Sequence, residues 1–227
     1  LSPGARQLLT LAAVAGQRFD FGVLQEATGQ AEAELLEQVK QLVAAHLVVE
    51  ENEDQFSFRH ALTREAIYGG LLARERRGLH RAVAEGLERR YAGALGAHAG
   101  ELAHHWDEAG EWAKGLEWAN RAAEQASRLY AHGEALSHYR HARHCAEQLG
   151  LREQVAATDH AIGKIQRARS QFPQAIEAYT AALQATADPA RRAVLKVDLG
   201  EAYVGAADER ALPLLREALE ELDPAAQ

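Results

Sequence analysis

Along most of the chain, apolar residues recur every three or four positions, the spacing of one buried face of an α-helix. Residues 3–15 place Leu8, Leu9, Ala12, Ala13 and Val14 in that pattern, with Ser2-Pro3 as cap and first-turn proline and Gly16 as stop. Asp20 is positioned to cap a second helix that ends near Gly29. A third helix, expected over 31–45, aligns Leu35, Leu36, Val39, Leu42 and Val43 on one face. The period then drops to two. Leu47-Val48-Val49-Glu50-Glu51, a polar Asn52-Glu53-Asp54 turn and Gln55-Phe56-Ser57-Phe58 predict a two-stranded hairpin, the only β signal in the sequence. Three helices followed by a hairpin is the order of a winged-helix domain, expected over 1–58. Two connecting helices, 60–72 and 73–95, should fill 59–96.

Beyond residue 97 the pattern repeats. Gly115-Leu116…Trp118…Ala122, Ala135-Leu136…Tyr139…Ala142, Ala175-Ile176…Tyr179…Ala182 and Ala211-Leu212…Leu215…Ala218 share a small residue, a bulky one three or four on, and alanine at +7. Upstream of three of them, Leu102-Ala103…Trp106, Ile162-Gly163…Gln166 and Leu199-Gly200…Tyr203 supply a matching first-helix signature, and Asp223-Pro224 closes the last unit. Small residues let paired helices approach, and the bulky residue of one helix fills the gap this leaves. The last two units are 36 residues apart, near the 34 of a tetratricopeptide repeat. Gly115 and Ala135 are only 20 apart, which makes the second unit irregular. Seven helices are expected, over 97–109, 111–129, 132–149, 152–169, 172–186, 190–206 and 208–222. The fold class is thus mostly α: a winged-helix domain with a small β-hairpin, then a tetratricopeptide-like solenoid of helical hairpins over 97–227.

Composition narrows the function. With 227 residues, 47% of them hydrophobic, the chain can build real cores, which excludes a disordered chain. A net charge of −8 argues against nonspecific binding of the whole chain to nucleic acid or an anionic membrane. The longest apolar run, 8–15, is far short of the roughly 18 residues of a membrane span, and no basic segment precedes it as in a secretory signal. One cysteine, Cys145, permits no internal disulfide and points to a reducing, cytoplasmic setting. A start at Leu1 and the lack of methionine lead us to expect an internal piece of a longer protein.

Local charge bears on the winged helix. Residues 1–58 hold three cations, Arg6, Arg18 and Lys40, against nine carboxylates, and the would-be recognition helix has three glutamates and one lysine. Phosphate neutralisation requires the opposite sign, so direct DNA binding is not expected. Residues 59–90 invert the balance, with eight arginines against four glutamates. Arg74, Arg76, Arg77, Arg81, Arg89 and Arg90 either meet an acidic partner surface or a nucleic acid, or form a solvated face that also pairs with the acidic domain before it.

Catalytic and metal chemistry find little footing. No G-x-x-x-x-G-K-[ST] phosphate loop occurs, no Ser or Cys occupies a strand-to-helix turn, and the pairs Asp107-Glu108, Asp208-Glu209 and Glu220-Glu221 fall at predicted exposed helix ends. We therefore expect no enzyme, no catalytic residue and no cofactor in this chain. His138, His141 and Cys145 share a helical stripe of zinc-competent ligands, but they spread over about 10 Å of axis, too far for one ion. A partner such as His104 or His105 would be needed to complete a site with two of them, and no metal is expected. In stacked hairpins the first helix of each pair lines the inner groove. Register from Ile162-Gly163 puts His160, Lys164 and Arg167 there, and register from Leu102-Ala103 adds His104 and Asp107. These are candidate partner-binding residues, and the basic third unit points to an acidic peptide or an anionic small molecule.

The run from Leu8 to Gly16, the segment Phe58-Arg-His60-Ala-Leu62-Thr-Arg-Glu65-Ala-Ile-Tyr68 followed by Arg76 and His80, and Glu101-Leu-Ala-His-His105-Trp-Asp-Glu-Ala-Gly110 resemble the arm of large bacterial signal-transduction ATPases. These include LuxR-type regulators of the MalT kind and ATPase modules fused to nucleotide cyclases. The resemblance covers the whole chain. It implies an ATPase core in the parent protein, followed by a winged helix and by tetratricopeptide-like repeats that sense a protein or small-molecule ligand. ATP and ADP then belong to the parent. His60, with Arg59 before it, stands where related ATPases have a Met-His-Asp motif whose histidine reaches the β-phosphate of ADP; here Arg59 replaces the Met and Ala61 the Asp. The implied role for Arg59 and His60 is nucleotide sensing in the intact parent, and the alternative is a helix-start imidazole bonded to backbone. The chain then reads as a regulatory or sensor arm that takes part in transcription regulation or signal transduction, without direct DNA or membrane binding. The rivals are a DNA-binding winged-helix regulator and a plain helical-repeat scaffold.

Overall fold

Residues 1–222 are described by the computed structural model, 76% helical with a small three-stranded antiparallel sheet and twelve α-helices among the described residues. Asp223-Pro224 and the side chain of Glu221 lie outside that description. None of the described helices is long and apolar enough to cross a membrane.

The first helices follow their local chemistry. Helix α1 (Pro3–Ala15) is capped by Ser2, whose hydroxyl accepts from the Ala5 amide at 3.2 Å. Helix α2 (Phe21–Thr28) is capped by Asp20, which accepts from Val23 at 2.9 Å, and stops at Gly29, φ +65°. Helix α3 (Glu32–Ala44) buries Leu35, Val39 and Leu42. Strands β2 (Val48–Glu50) and β3 (Gln55–Phe58) form the expected hairpin, and the Asn52 side chain accepts from the Asp54 and Gln55 amides to close its turn.

The sheet has a third strand that the pattern did not announce. Strand β1 (Arg18–Asp20) pairs antiparallel with β3, Phe19 opposite Phe56, which places β3 in the centre. Three residues give only one buried position, Phe19, too little for period two to register. The Phe19 ring stacks on Phe56 at 6.1 Å and meets Phe58 edge-on at 5.9 Å, so the aromatic side chains tie β1 to β3.

Helix α4 (Ala61–Gly69) and helix α5 (Ala73–Arg90) follow. Helix α5 ends five residues earlier than expected. Past Arg90 the chain carries Gly93 and Gly96, costly in a helix interior, and passes through a turn and a 3-10 segment, Leu95–His98, into helix α6 (Ala99–Glu108). By its packing the chain divides into two compact units, Leu1–Gly115 and the residues from Leu116 onward. The helices of 59–96 are thus part of the first unit and its core. Helix α5 buries Val83, Ala84 and Leu87, and a methyl at Gly86 would lie 2.7 Å from the Val23 carbonyl of α2. The arginines of α5 also reach the acidic residues before them: Arg89 pairs with Glu26 at 3.3 Å and Arg90 with Asp20 at 3.7 Å.

The remaining helices are α7 (Trp112–Arg128), α8 (His132–Gln148), α9 (Arg152–Ala168), α10 (Phe172–Ala185), α11 (Pro189–Gly205) and α12 (Ala211–Leu222). Within the second unit, sequence neighbours from α8 to α12 pack in succession as helical hairpins. The spacing that made one unit irregular is itself periodic. Turns at Gly110, Tyr130, Gly150 and Ser170 each hold a residue at φ between +56° and +77°, one every 20 residues, and α7, α8 and α9 are each 17 residues long. The hairpins interlock as their spacing implied. A methyl at Gly163 of α9 would fall 2.5 Å from the ring of Tyr179 on α10, and one at Gly200 of α11 would fall 2.5 Å from Leu215 on α12.

This packing separates two glycine-to-alanine substitutions that helix propensity alone would treat alike. Gly163→Ala forces a fully buried Tyr179 ring to move and should destabilise by about 1–3 kcal/mol. Gly78→Ala, on an exposed turn of α5 with open space around it, should stabilise by about 0.5–1 kcal/mol. Urea midpoints of the two variants should therefore move in opposite directions, and a stable Gly163→Ala protein would refute the interlock.

Candidate functional site

Histidines occupy positions in the first unit where the helical pattern calls for apolar residues. His80 belongs to the buried stripe His80, Val83, Ala84, Leu87 of α5, and His105 lies among Leu102, Ala103 and Trp106 of α6. Packing of α5 on α6 brings the two imidazoles together, with Nδ1 of His80 2.9 Å from Nδ1 of His105. Nε2 of His80 meets the Tyr68 hydroxyl of α4 at 3.1 Å. The exposed His104 completes the group, its ring centroid 5.5 Å from that of His80 and 5.2 Å from that of His105. Helix α6 is held in place by Trp106, whose indole is buried and donates to Glu88 of α5 at 3.1 Å, while Lys114 caps the ring face at 3.7 Å.

The electrostatics of the cluster keep its core neutral. Burial, then the charges of His104, Arg76 and Arg64, push His80 down to about 3, and burial, then His104, His80 and Arg64, hold His105 well below its ordinary value. Arg64 and Arg76 come from α4 and α5 and lie 5.7 and 5.4 Å from the Tyr68 ring centre. At neutral pH, then, one Nδ1 of the close pair carries a proton and the other accepts it. If His80 Nδ1 donates, its Nε2 accepts from the Tyr68 hydroxyl; if His105 Nδ1 donates, His80 Nε2–H donates to the Tyr68 oxygen. One proton position sets the direction of the chain. The donor nitrogens of His80, His104 and His105 lie within 4.8 Å of one another, close enough for one metal ion. Beside them is a cavity of about 320 Å³ that His105 lines, with Arg18, Asp20, Gln55, Tyr91, His98 and Glu101 as its other polar groups. Tyr91 stacks on His98 at 3.7 Å, and burial and Asp20 push its hydroxyl upward.

The residues singled out from sequence are distributed differently. Arg59 and His60 are exposed; His60 is the residue preceding α4, and its imidazole makes no capping hydrogen bond, although its carbonyl accepts from Thr63 at 3.0 Å. His104 joins the histidine cluster, and Asp107 lies half-buried one turn further along α6. In the second unit, His160 Nε2 is 2.5 Å from Asp198 of α11, and Arg167 pairs with Glu201 and, at 3.7 Å, with Asp198. Burial pushes the Asp198 carboxyl up, but the His160 hydrogen bond and the charges of His160, Lys164 and Arg167 outweigh it and hold it below its usual value. The basic character assigned to this groove is thus cancelled by two carboxylates of α11, and the charge argument for an anionic ligand loses its basis. Register could count the cations of α9 but not the acids that α11 sets against them.

His138 and His141 are half-buried on α8 above the buried Cys145, and burial, then His141, pulls His138 down. They form no metal-competent group among the described residues. For metal binding the sequence set His104 and His105 against that stripe, and for partner binding it set His104 in the groove; their meeting with His80 was missed. The available signal was one histidine in the buried stripe of each of two helices that follow each other closely, with a third, His104, beside the second.

Helix α3 borders a second concavity, of about 540 Å³. Phe21, Leu36, Val39, Val43 and Phe56 form its apolar lining, and Glu32, Glu50, Glu53 and Asp54 stand around it with a single cation, Lys40.

No protein-family model matches this sequence, and no curated protein matches it as a relative. Among solved structures, the crystal structure of BtubC (BKLC) from P. vanneervenii is similar at 17% identity, over 73% of this chain and 81% of that one, with a TM-score of 0.45.

The buried histidines fix the sign of an acid response. The unfolded chain takes up a proton at His80 near 6.5, whereas the folded chain does so only near 3. The contribution to stability is fully present above pH 6.5 and is lost as pH falls from there toward 3. Urea midpoints should accordingly be lower at about pH 5 than at about pH 7.5, and His80→Gln should lose less over that interval. Equal losses in the two proteins would remove His80 from the response.

Proposed function

We propose that this chain is the regulatory arm of a multidomain bacterial signalling ATPase or transcription regulator, cytoplasmic, with a winged-helix domain followed by tetratricopeptide-like repeats that bind a partner protein or ligand. The observation that carries this reading is the chemistry of the face beside α3. A winged helix that reads DNA presents cations there. Here the corresponding helix borders an apolar concavity ringed by Glu32, Glu50, Glu53 and Asp54, chemistry that favours a protein surface over a phosphate backbone. The interlocked hairpins of the second unit are consistent with repeats that present a surface for binding. On this reading the ATPase core of the same polypeptide is one partner, and ATP or ADP is bound there. His60, exposed at the start of α4 and making no cap bond, is available to a nucleotide held by that core.

Two measurements test the reading. In the intact parent polypeptide, His60→Ala removes a hydrogen bond to a charged phosphate, about 1.5–3 kcal/mol, and should speed ADP release at least about tenfold. Unchanged release would take His60 out of the mechanism. In a gel shift at low salt the chain should show no sequence-dependent binding to duplex DNA. Such binding, abolished by substitutions in 31–45, would instead establish the DNA-binding rival.

A further inference from the structure

We propose that His80, His104 and His105 form a binding site for a divalent transition-metal ion of the zinc class. The inference rests on the geometry of the first unit and is independent of the regulatory-arm reading.

Three imidazoles on two packed helices place their donor nitrogens within 4.8 Å of one another. Zinc–nitrogen bonds of 2.0–2.1 Å in a tetrahedral centre set neighbouring ligand nitrogens about 3.3 Å apart. The Nδ1 atoms of His80 and His105, at 2.9 Å, need to separate by only a few tenths of an ångström, a change that small ring rotations supply. Neutral imidazole is the form that ligates, and burial keeps both rings neutral at physiological pH. The surroundings also suit the bound state. When His80 ligates through Nδ1 its proton resides on Nε2 and is donated to the Tyr68 hydroxyl at 3.1 Å, the outer-shell contact that fixes tautomer and ring orientation in histidine metal sites. Binding changes tautomers without requiring the loss of a proton from either buried ring. His104, exposed beside two buried partners, gives a hydrated ion its point of entry and supplies the third ligand.

Three protein ligands leave a coordination position for water or an exogenous donor. Arg64 and Arg76 oppose the charge of the dication, and they favour an anion in that open position. A simple hydrogen-bonded histidine pair accounts for the His80–His105 contact with two rings, whereas one ion draws on all three nitrogens. The two interpretations therefore differ most at His104.

The test uses the chain freed of metal with a chelator and titrated with Zn²⁺ by calorimetry, and with Co²⁺ followed through its visible absorption. One equivalent should bind, Co²⁺ should give the intense bands of a low-coordinate site, and Zn²⁺ should raise the melting temperature. His104→Gln, an exposed change that leaves the metal-free melting temperature nearly unaltered, should weaken binding at least tenfold. His80→Gln should abolish it; if that variant fails to fold, His104→Gln decides. The double variant His138→Gln, His141→Gln should bind as the original chain does. Absence of a one-equivalent site, binding unaffected by His104→Gln, or binding lost with the α8 pair would each overturn the proposal.

Discussion

Close approach of helix backbones, made possible where glycine faces a bulky group, is the constraint on which both units depend. The sheet is three short strands and the one cysteine cannot bridge to another, so helix contacts must fix the architecture. Gly86 lets α5 approach the α2 backbone, with the Val23 carbonyl where a methyl would otherwise be. On another face of α5, the stripe of His80, Val83, Ala84 and Leu87 carries His80 into contact with His105 of α6. Helix α6 is in turn fixed by Trp106 against Glu88 of α5. The histidine cluster is thus a consequence of how two helices are seated. In the second unit the glycines under Tyr179 and Leu215 do the same for consecutive hairpins, and side-chain fit sets the register where hydrophobicity alone would permit sliding.

Two charged groups buried inside this helical framework are paired across neighbouring helices. Asp159 is buried on α9 and accepts from Arg143 of α8 at 2.8 Å, and the buried Lys196 of α11 donates to Glu217 of α12 at 2.6 Å. Each joins neighbouring helices, and removing Arg143 would leave the buried Asp159 without its cation at a cost of about 1–3 kcal/mol or more. The His80–His105 contact differs from these pairs in that both of its members are buried, and it differs in chemistry. Neither imidazole is held charged by its neighbours, because cations surround it. A buried ion pair is completed by its own two members, whereas a cluster of neutral nitrogen donors retains the capacity to take up a cation.

The helices were legible because their caps and stripes are local: Ser2, Asp20 and Gly29 act within a few residues of the ends they define, and the expected boundaries beyond residue 97 lie within a few residues of those observed. The hairpin was legible from Phe56 and Phe58 alternating with Gln55 and Ser57. Strand β1 was not, since three residues with one buried phenylalanine carry no measurable period and its pairing depends on β3, more than 30 residues away. The same limit applies to the sites. His80 and His105 are 25 residues apart and meet only through helix seating, and the cations at His160 and Arg167 could be counted without knowledge of Asp198 and Glu201.

Charge in the first unit is partitioned by these contacts. The sequence sets an acidic domain before an arginine-rich helix, and the structure joins them: Arg89 reaches Glu26, and Arg90 reaches both Asp20 and Asp54. Exposed pairs of this kind contribute about 0–1 kcal/mol each, too little to hold α5 in place, which is the work of its apolar stripe. Their larger effect is on the field seen by a partner. Cations of α5 are drawn toward α2 and the sheet turn, while the concavity beside α3 keeps four carboxylates around an apolar floor with Lys40 as its one cation. A duplex approaching that face meets charge of its own sign. A protein segment with apolar contacts and basic flanks meets the complementary surface.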